Sequence, residues 1–163
     1  MKVLISACLL GERVRWDGGH CPVQHPALTH WQAQGVLLSF CPECAAGFTV
    51  PRKPVELVGG DGRDFWHGRA RVLDCEGEDC SKPMAAGARR ALVLAREQHV
   101  LLAVLKEGSP SCGTGRIHAG FFDGRTRAGR GVTAALLNRE GIAVFSEQEL
   151  DAAWHHWRLH AGK

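Results

Sequence analysis

Two hydrophobic rhythms run along the chain. Short apolar runs at residues 3–5, 36–40, 100–105 and 142–145 are the length of buried strands. Segments with apolar residues at helical spacing fall between and after them. Residues 26–34 read as a helix closed by Gly35, and residues 132–140 as one closed by Gly141. Residues 84–98 set Ala, Leu and Val against an outer face of Arg89, Arg90, Arg96 and Glu97, with Ser81 as the expected cap and Pro83 in the first turn. Ser146 and Glu149 are spaced as a capping box for a last helix reaching His160. Prolines and glycines break up residues 41–81, leaving a minor strand at 70–74. Residues 108–131 hold seven glycines and read mostly as loop.

Strands alternating with helices predict an α/β, Rossmann-like fold. It is expected to be a single domain over residues 1–163, with a mostly parallel sheet and helices on both faces. In such sheets ligands bind beyond the carboxyl ends of the strands.

Composition narrows the classes. No apolar run approaches the ~18–20 residues that span a bilayer, and the first residues carry no secretory pattern. The expectation is therefore a cytoplasmic protein with no membrane partner. The charge is 20 basic minus 17 acidic, or +3, with acidic residues interleaved throughout. Nucleic-acid binders cluster basic charge on one face, so nucleic acid is not the expected partner, although a thiolated tRNA stays open as a substrate. There are 20 glycines and seven cysteines. An odd cysteine count in a reducing compartment points to metal binding or catalysis.

Cys8, Cys41 and Cys112 each follow the end of a predicted strand, so their thiols are expected to converge on one sheet edge. Three such thiolates suit a structural zinc with a fourth ligand, or an iron–sulfur cluster that leaves one iron open as a Lewis acid. Three buried thiols packed as small hydrophobes are the alternative. Cys41 and Cys44 form a C-x-x-C, which admits two further readings: a thiol–disulfide oxidoreductase, or a zinc module on Cys8, Cys41, Cys44 and Cys112. Cys21, Cys75 and Cys80 read as unliganded.

Longer motifs sharpen this. Ser6 through Gly11 with Arg15-Trp16-Asp17-Gly18-Gly19 resembles the N-terminal signature of the thiouracil desulfidase (TudS) family. Cys41-Pro42-Glu43 to Gly47, followed by Pro51 through Glu56, resembles its second motif, and Leu105 through Gly113 its third. Gly129 through Ala134 and Gly141 to Glu147 resemble its C-terminal part, so the likeness covers almost the whole chain. Ala46, Phe48 and the extra Cys44 depart from the pattern. The resemblance implies a [4Fe-4S] cluster on Cys8, Cys41 and Cys112 with one open iron. It also implies non-redox removal of sulfur from a small thiolated pyrimidine, giving uracil and hydrosulfide. Glu43 then matches the catalytic carboxylate, and Ser109 or Ser111, with Ser109 preferred, the catalytic serine.

Arg15, Asp17 and Lys106 are the expected substrate-binding or charge-balancing residues, with a simple turn as the alternative for Asp17. Arg52 and Lys53, between two prolines, read as solvated loop. His155, His156 and His160 read as parts of a packed amphipathic helix rather than a metal site.

Overall fold

The computed structural model describes residues 1–162. In chain order the elements are β1 (Lys2–Ser6), a 3-10 turn (Ala7–Leu10), α1 (Pro26–Ala33), β2 (Leu37–Phe40), α2 (Pro42–Ala45), β3 (Val55–Val58) and α3 (Gly62–Trp66). Then follow β4 (Arg71–Asp74), α4 (Ser81–Glu97), β5 (Val100–Leu105), β6 (Arg116–His118), β7 (Thr126–Ala128), α5 (Val132–Arg139), β8 (Ala143–Ser146) and α6 (Leu150–His160). The four expected strands form one sheet in the order β2-β1-β5-β8, every pair parallel. No helix among the described residues is long and apolar enough to cross a membrane.

The period-2 alternation of the strands divides the core into two layers. Leu4, Ala103 and Leu105 face α4 and α5, packing with Met84, Ala88, Leu92 and Leu137. Val3, Ile5, Leu102 and Val104 face the other way, onto Leu28 and Trp31 of α1 and Ala153 of α6. Helices thus cover both faces, as the apolar strands require. Each fully buried Leu or Ile contributes roughly 1.5–3 kcal/mol.

The register aligns the strand ends. Ser6 lies beside Phe40, and Ile5 beside Val104, so β1, β2 and β5 deliver their chains to a common edge. Two close approaches fix the loops there. A Cβ on Gly87 of α4 would overlap the Pro42 carbonyl oxygen, so α4 packs directly on the α2 turn. A Cβ on Gly131 would lie 2.5 Å from Ser111 backbone atoms, so the start of α5 packs as tightly on the loop carrying Cys112.

Glu107 anchors that loop. Its carboxylate accepts from the N–H groups of Thr114, Gly115 and Arg116 and from the Thr114 hydroxyl. Burial acts to raise its pKa, but these hydrogen bonds outweigh it and hold the carboxyl below its ordinary range.

Several local expectations are corrected. Cys80, not Ser81, occupies the N-cap of α4, and the Ser81 hydroxyl instead accepts the Val72 N–H across the turn. The Ser146/Glu149 pair closes a turn rather than opening the helix. Ser146 N–H donates to Glu149 and Gln148 N–H to the Ser146 hydroxyl, and α6 begins only at Leu150. The glycine-rich segment contains the β6–β7 hairpin, and residues 41–81 contain the β3–β4 pair and α3. The expected minor strand at 70–74 is β4; β6 and β7 are too short and too polar to register as apolar runs.

Two outcomes follow from the loop anchors. Gly87→Ala should lose about 1–3 kcal/mol of unfolding free energy in urea, because a new methyl overpacks the α2 turn. Glu107→Gln should lose about 1–3 kcal/mol near neutral pH. The folded carboxyl has the lower pKa, so its contribution is present above about pH 4.3 and fades as pH falls through the folded value. Urea titrations at descending pH should therefore show wild type and Glu107→Gln converging in acid. A constant gap would contradict this.

Candidate functional site

The common strand edge opens into a cavity of about 430 Å³. Cys8 enters it from the 3-10 turn after β1, Cys41 from the N-cap of α2 after β2, and Cys112 from the loop after β5. Glu43, Ser109, Lys106 and Arg15 line the same cavity. Trp16, Phe40, Val55 and Phe122 add apolar wall.

Cys8 and Cys112 are buried and Cys41 is partly so. Burial pushes the Cys8 thiol up to about 11; Cys21 adds to this, and Lys106 and Arg15 oppose it. Burial likewise pushes Cys41 up to about 12, against the N–H of Cys44, which lies 3.4 Å from its sulfur. Cys112 is raised further by burial, against a hydrogen bond from Ser6. Left to themselves the three thiols keep their protons. A cationic metal core would displace them, as metal binding does at any thiolate site. Among the described residues, no three His, Cys, Asp or Glu side chains close around a single metal ion. A polynuclear cluster needs a wider triangle, because its own iron–sulfur edges separate the ligands. The thiols of Cys8, Cys41 and Cys112 around a shared cavity are a donor set suited to such a cluster.

Cys44 does not line the cavity; its thiol lies 4.0 Å from the Val14 carbonyl. All seven cysteines are free. α2 has only four residues, too short to give Cys41 the helix N-terminus that activates a redox C-x-x-C.

Glu43 sits in the first turn of α2 and is clamped by Arg52. Arg52 Nε and Nη2 donate to the same oxygen, Oε2, at 2.9 and 2.5 Å, with the two side chains 7% and 12% exposed. Two further guanidinium hydrogens go to the Val14 and Thr49 carbonyls, and Arg52 N–H goes to the Trp16 carbonyl. Arg52 thus ties its own loop, the loop of Val14 and Trp16 and one carboxylate together, which corrects its reading as solvated loop. Only Lys53 is exposed, paired with Glu76.

The serines separate clearly. The Ser109 hydroxyl faces the cavity and accepts the N–H groups of Ser111 and Cys112, both at 3.1 Å. Ser111 is fully buried away from it, its hydroxyl bonded to Thr133 at 2.8 Å, so Ser111 is not placed to act. Asp17 also lies outside the cavity. It accepts the Gly19 N–H at 2.8 Å and is the turn residue of the alternative reading. Lys106 is present but held, bonded to Glu147 at 3.1 Å and to the Glu107 carbonyl. Glu147 also accepts the Glu107 N–H, so it fixes the end of β5 from β8's side. His156 and His160 stack on each other along α6, outside the cavity.

Sequence reading missed Arg52, Glu107, Glu147, Glu56 and His118. Only the proline-flanked position of Arg52 offered a local signal.

The chain is similar to known proteins over most of its length. A family model described as 2-thiouracil desulfurase matches residues 3–149. The uncharacterized protein YbbK of Bacillus subtilis (strain 168) is 40% identical over 149 residues, covering 91% of this chain and 97% of that one. The solved structure of the [4Fe-4S]-dependent thiouracil desulfidase TudS superposes with a TM-score of 0.84, at 44% identity and 93% coverage of both chains. The match runs from β1 to the turn before α6 and takes in every strand end that feeds the cavity. With the thiols, carboxylate and serine of the three motifs meeting where those strands end, the chain belongs to the 2-thiouracil desulfurase family.

Proposed function

We propose that this chain is a [4Fe-4S]-dependent desulfidase. It converts a thiolated pyrimidine of the 2- or 4-thiouracil type to uracil and hydrosulfide, without net redox change. The observation that carries this is the meeting of Cys8, Cys41 and Cys112 with Glu43 and Ser109 in one cavity, in a chain 44% identical to a solved protein named for that activity.

Cys8, Cys41 and Cys112 hold the cluster. When bound it supplies a soft Lewis acid with one iron free of protein ligands, suited to a thiocarbonyl sulfur. The chain's own residues then manage water and protons. Arg52 occupies Oε2 of Glu43 and leaves Oε1 to the cavity. Oε1 is the general base that takes a proton from the attacking water. A C–O bond forms at the ring carbon and the C=S bond opens. As the new oxygen loses its remaining proton to solvent and becomes the carbonyl, the C–S bond breaks and sulfur leaves as hydrosulfide carrying the proton that Glu43 took from the water. The Ser109 hydroxyl accepts two N–H groups and keeps its own hydrogen. It donates that hydrogen bond to the substrate or the departing sulfur. Lys106 and Arg15 place positive charge beside Cys8 and offset the thiolates. The apolar wall limits water to what the reaction consumes. The substrate is a small thiolated pyrimidine, and the free thiols support a reducing, cytoplasmic setting.

Anaerobic reconstitution followed by a sulfide-release assay on 2- and 4-thiouracil tests this. Wild type should release sulfide. Glu43→Gln should retain the visible absorption of the cluster and lose about 10²–10⁴-fold in rate. Cys8→Ser, Cys41→Ser and Cys112→Ser should each lose the absorption, and Cys44→Ser should keep both absorption and activity. The reading fails if wild type releases no sulfide. It fails equally if Cys44→Ser abolishes turnover while Cys112→Ser does not.

A further inference from the structure

The cavity has a second polar wall that the desulfuration chemistry does not use. It comes from outside the four-stranded sheet, from β3 and the β6–β7 hairpin. Glu56 of β3 lines the cavity although it is only 7% exposed. Among the described residues its carboxylate has one hydrogen-bond donor, the Gly120 N–H on Oε1 at 2.9 Å. Its second oxygen has no donor among the described residues and is not sealed from solvent, and the residue borders the cavity. A nearly buried carboxylate with a vacant acceptor is costly unless a donor arrives.

His118, at the end of β6, lines the cavity beside it. Its Nδ1 lies 2.9 Å from the Gly108 carbonyl. A carbonyl can only accept, so Nδ1 carries the hydrogen. The neutral ring therefore offers Nε2 as a bare acceptor. Phe122 closes this wall from the hairpin tip. Its φ of +54° is a strained conformation for an aromatic residue. The hairpin holds that strain through the Glu56–Gly120 bond and through Gly120, where a Cβ would lie 2.6 Å from the Leu57 carbonyl oxygen. Strain kept at a cavity wall is a mark of a site that positions a ligand.

We infer that Glu56 and His118 form the recognition edge of the cavity, two acceptors that read the ring N3–H of the pyrimidine beside its thiocarbonyl. The inference rests on the proposed desulfidase reading and deepens it. In both 2- and 4-thiouracil the N3–H adjoins the carbon that bears sulfur. A carboxylate or imidazole accepting that hydrogen fixes the ring with its C–S bond toward the cysteines. A ring methylated at N3 would leave the buried carboxylate unpaired. Sites built to bond a substrate N–H reject such analogues strongly.

The test compares 4-thiouracil with 3-methyl-4-thiouracil on the reconstituted holoprotein. Wild type should prefer the unmethylated base by about 100-fold or more in kcat/KM. Glu56→Gln keeps an acceptor for Gly120, and His118→Phe keeps the ring's volume. Each should lower kcat/KM for 4-thiouracil about 10-fold or more, mainly through KM, and leave the methylated base unchanged, so that the preference collapses. Cluster absorption should not move. Equilibrium dialysis with uracil, which retains N3–H and lacks sulfur, gives a readout independent of turnover. Both variants should weaken uracil binding about 10-fold, with no effect on 3-methyluracil. If either variant does not hold its cluster, dialysis on the other decides. Equal losses on both bases, or no loss on either, would overturn the inference. Absence of sulfide release by wild type would overturn the desulfidase reading with it. Release with the preference intact in both variants overturns the recognition edge alone.

Discussion

The parallel register of β1, β2 and β5 is the constraint from which the site follows. Side chains alternate along each strand, and a one-residue slip would turn every core residue toward the wrong helix layer. The two apolar layers, Leu4 and Ala103 on one side and Val3 and Leu102 on the other, therefore lock the pairing. With the pairing locked, three distant stretches of chain leave the sheet at one edge. Cys8, Cys41 and Cys112 meet because hydrophobic burial elsewhere leaves their loops no other place to go.

Register brings the loops together but does not hold their shape. That is the work of charged groups taken out of water. Arg52 spends its guanidinium on Glu43 and two carbonyls. Glu107 gathers the N–H groups of the loop after Cys112, and Glu147 fixes Lys106 and the Glu107 backbone. Each partly buried charge would be costly alone and is tolerable because it is paired and hydrogen-bonded. The polar frame is thus built on partners brought from three or more segments. It keeps the loops still while the cysteines, Glu43 and Ser109 face the cavity.

The parts legible in the sequence are those set by local pattern. The four sheet strands show as apolar runs, α4 as a helical stripe, and the three thiols as residues just past strand ends. What stayed hidden depends on long-range pairing. Nothing near Arg52 in sequence says that it, and not Lys53, turns inward to a carboxylate nine residues earlier. Ser109 and Ser111 look alike in the chain and are told apart only by Thr133, which covers Ser111. Ser146 and Glu149 have the spacing of a capping box, and the tertiary turn they close displaces the helix start to Leu150. The β6–β7 hairpin is short, polar and exposed on β7, so no hydrophobic rhythm marks it.

On the proposed function, the three converging thiols hold a four-iron cluster in this cavity. Anaerobic reconstitution with iron, sulfide and zinc all supplied, followed by metal and acid-labile sulfide analysis and Mössbauer spectroscopy, tests it most directly. About four irons and four sulfides per chain are expected, with one iron spectroscopically distinct from three cysteine-ligated ones. About one zinc per chain, with no labile sulfide, would contradict it.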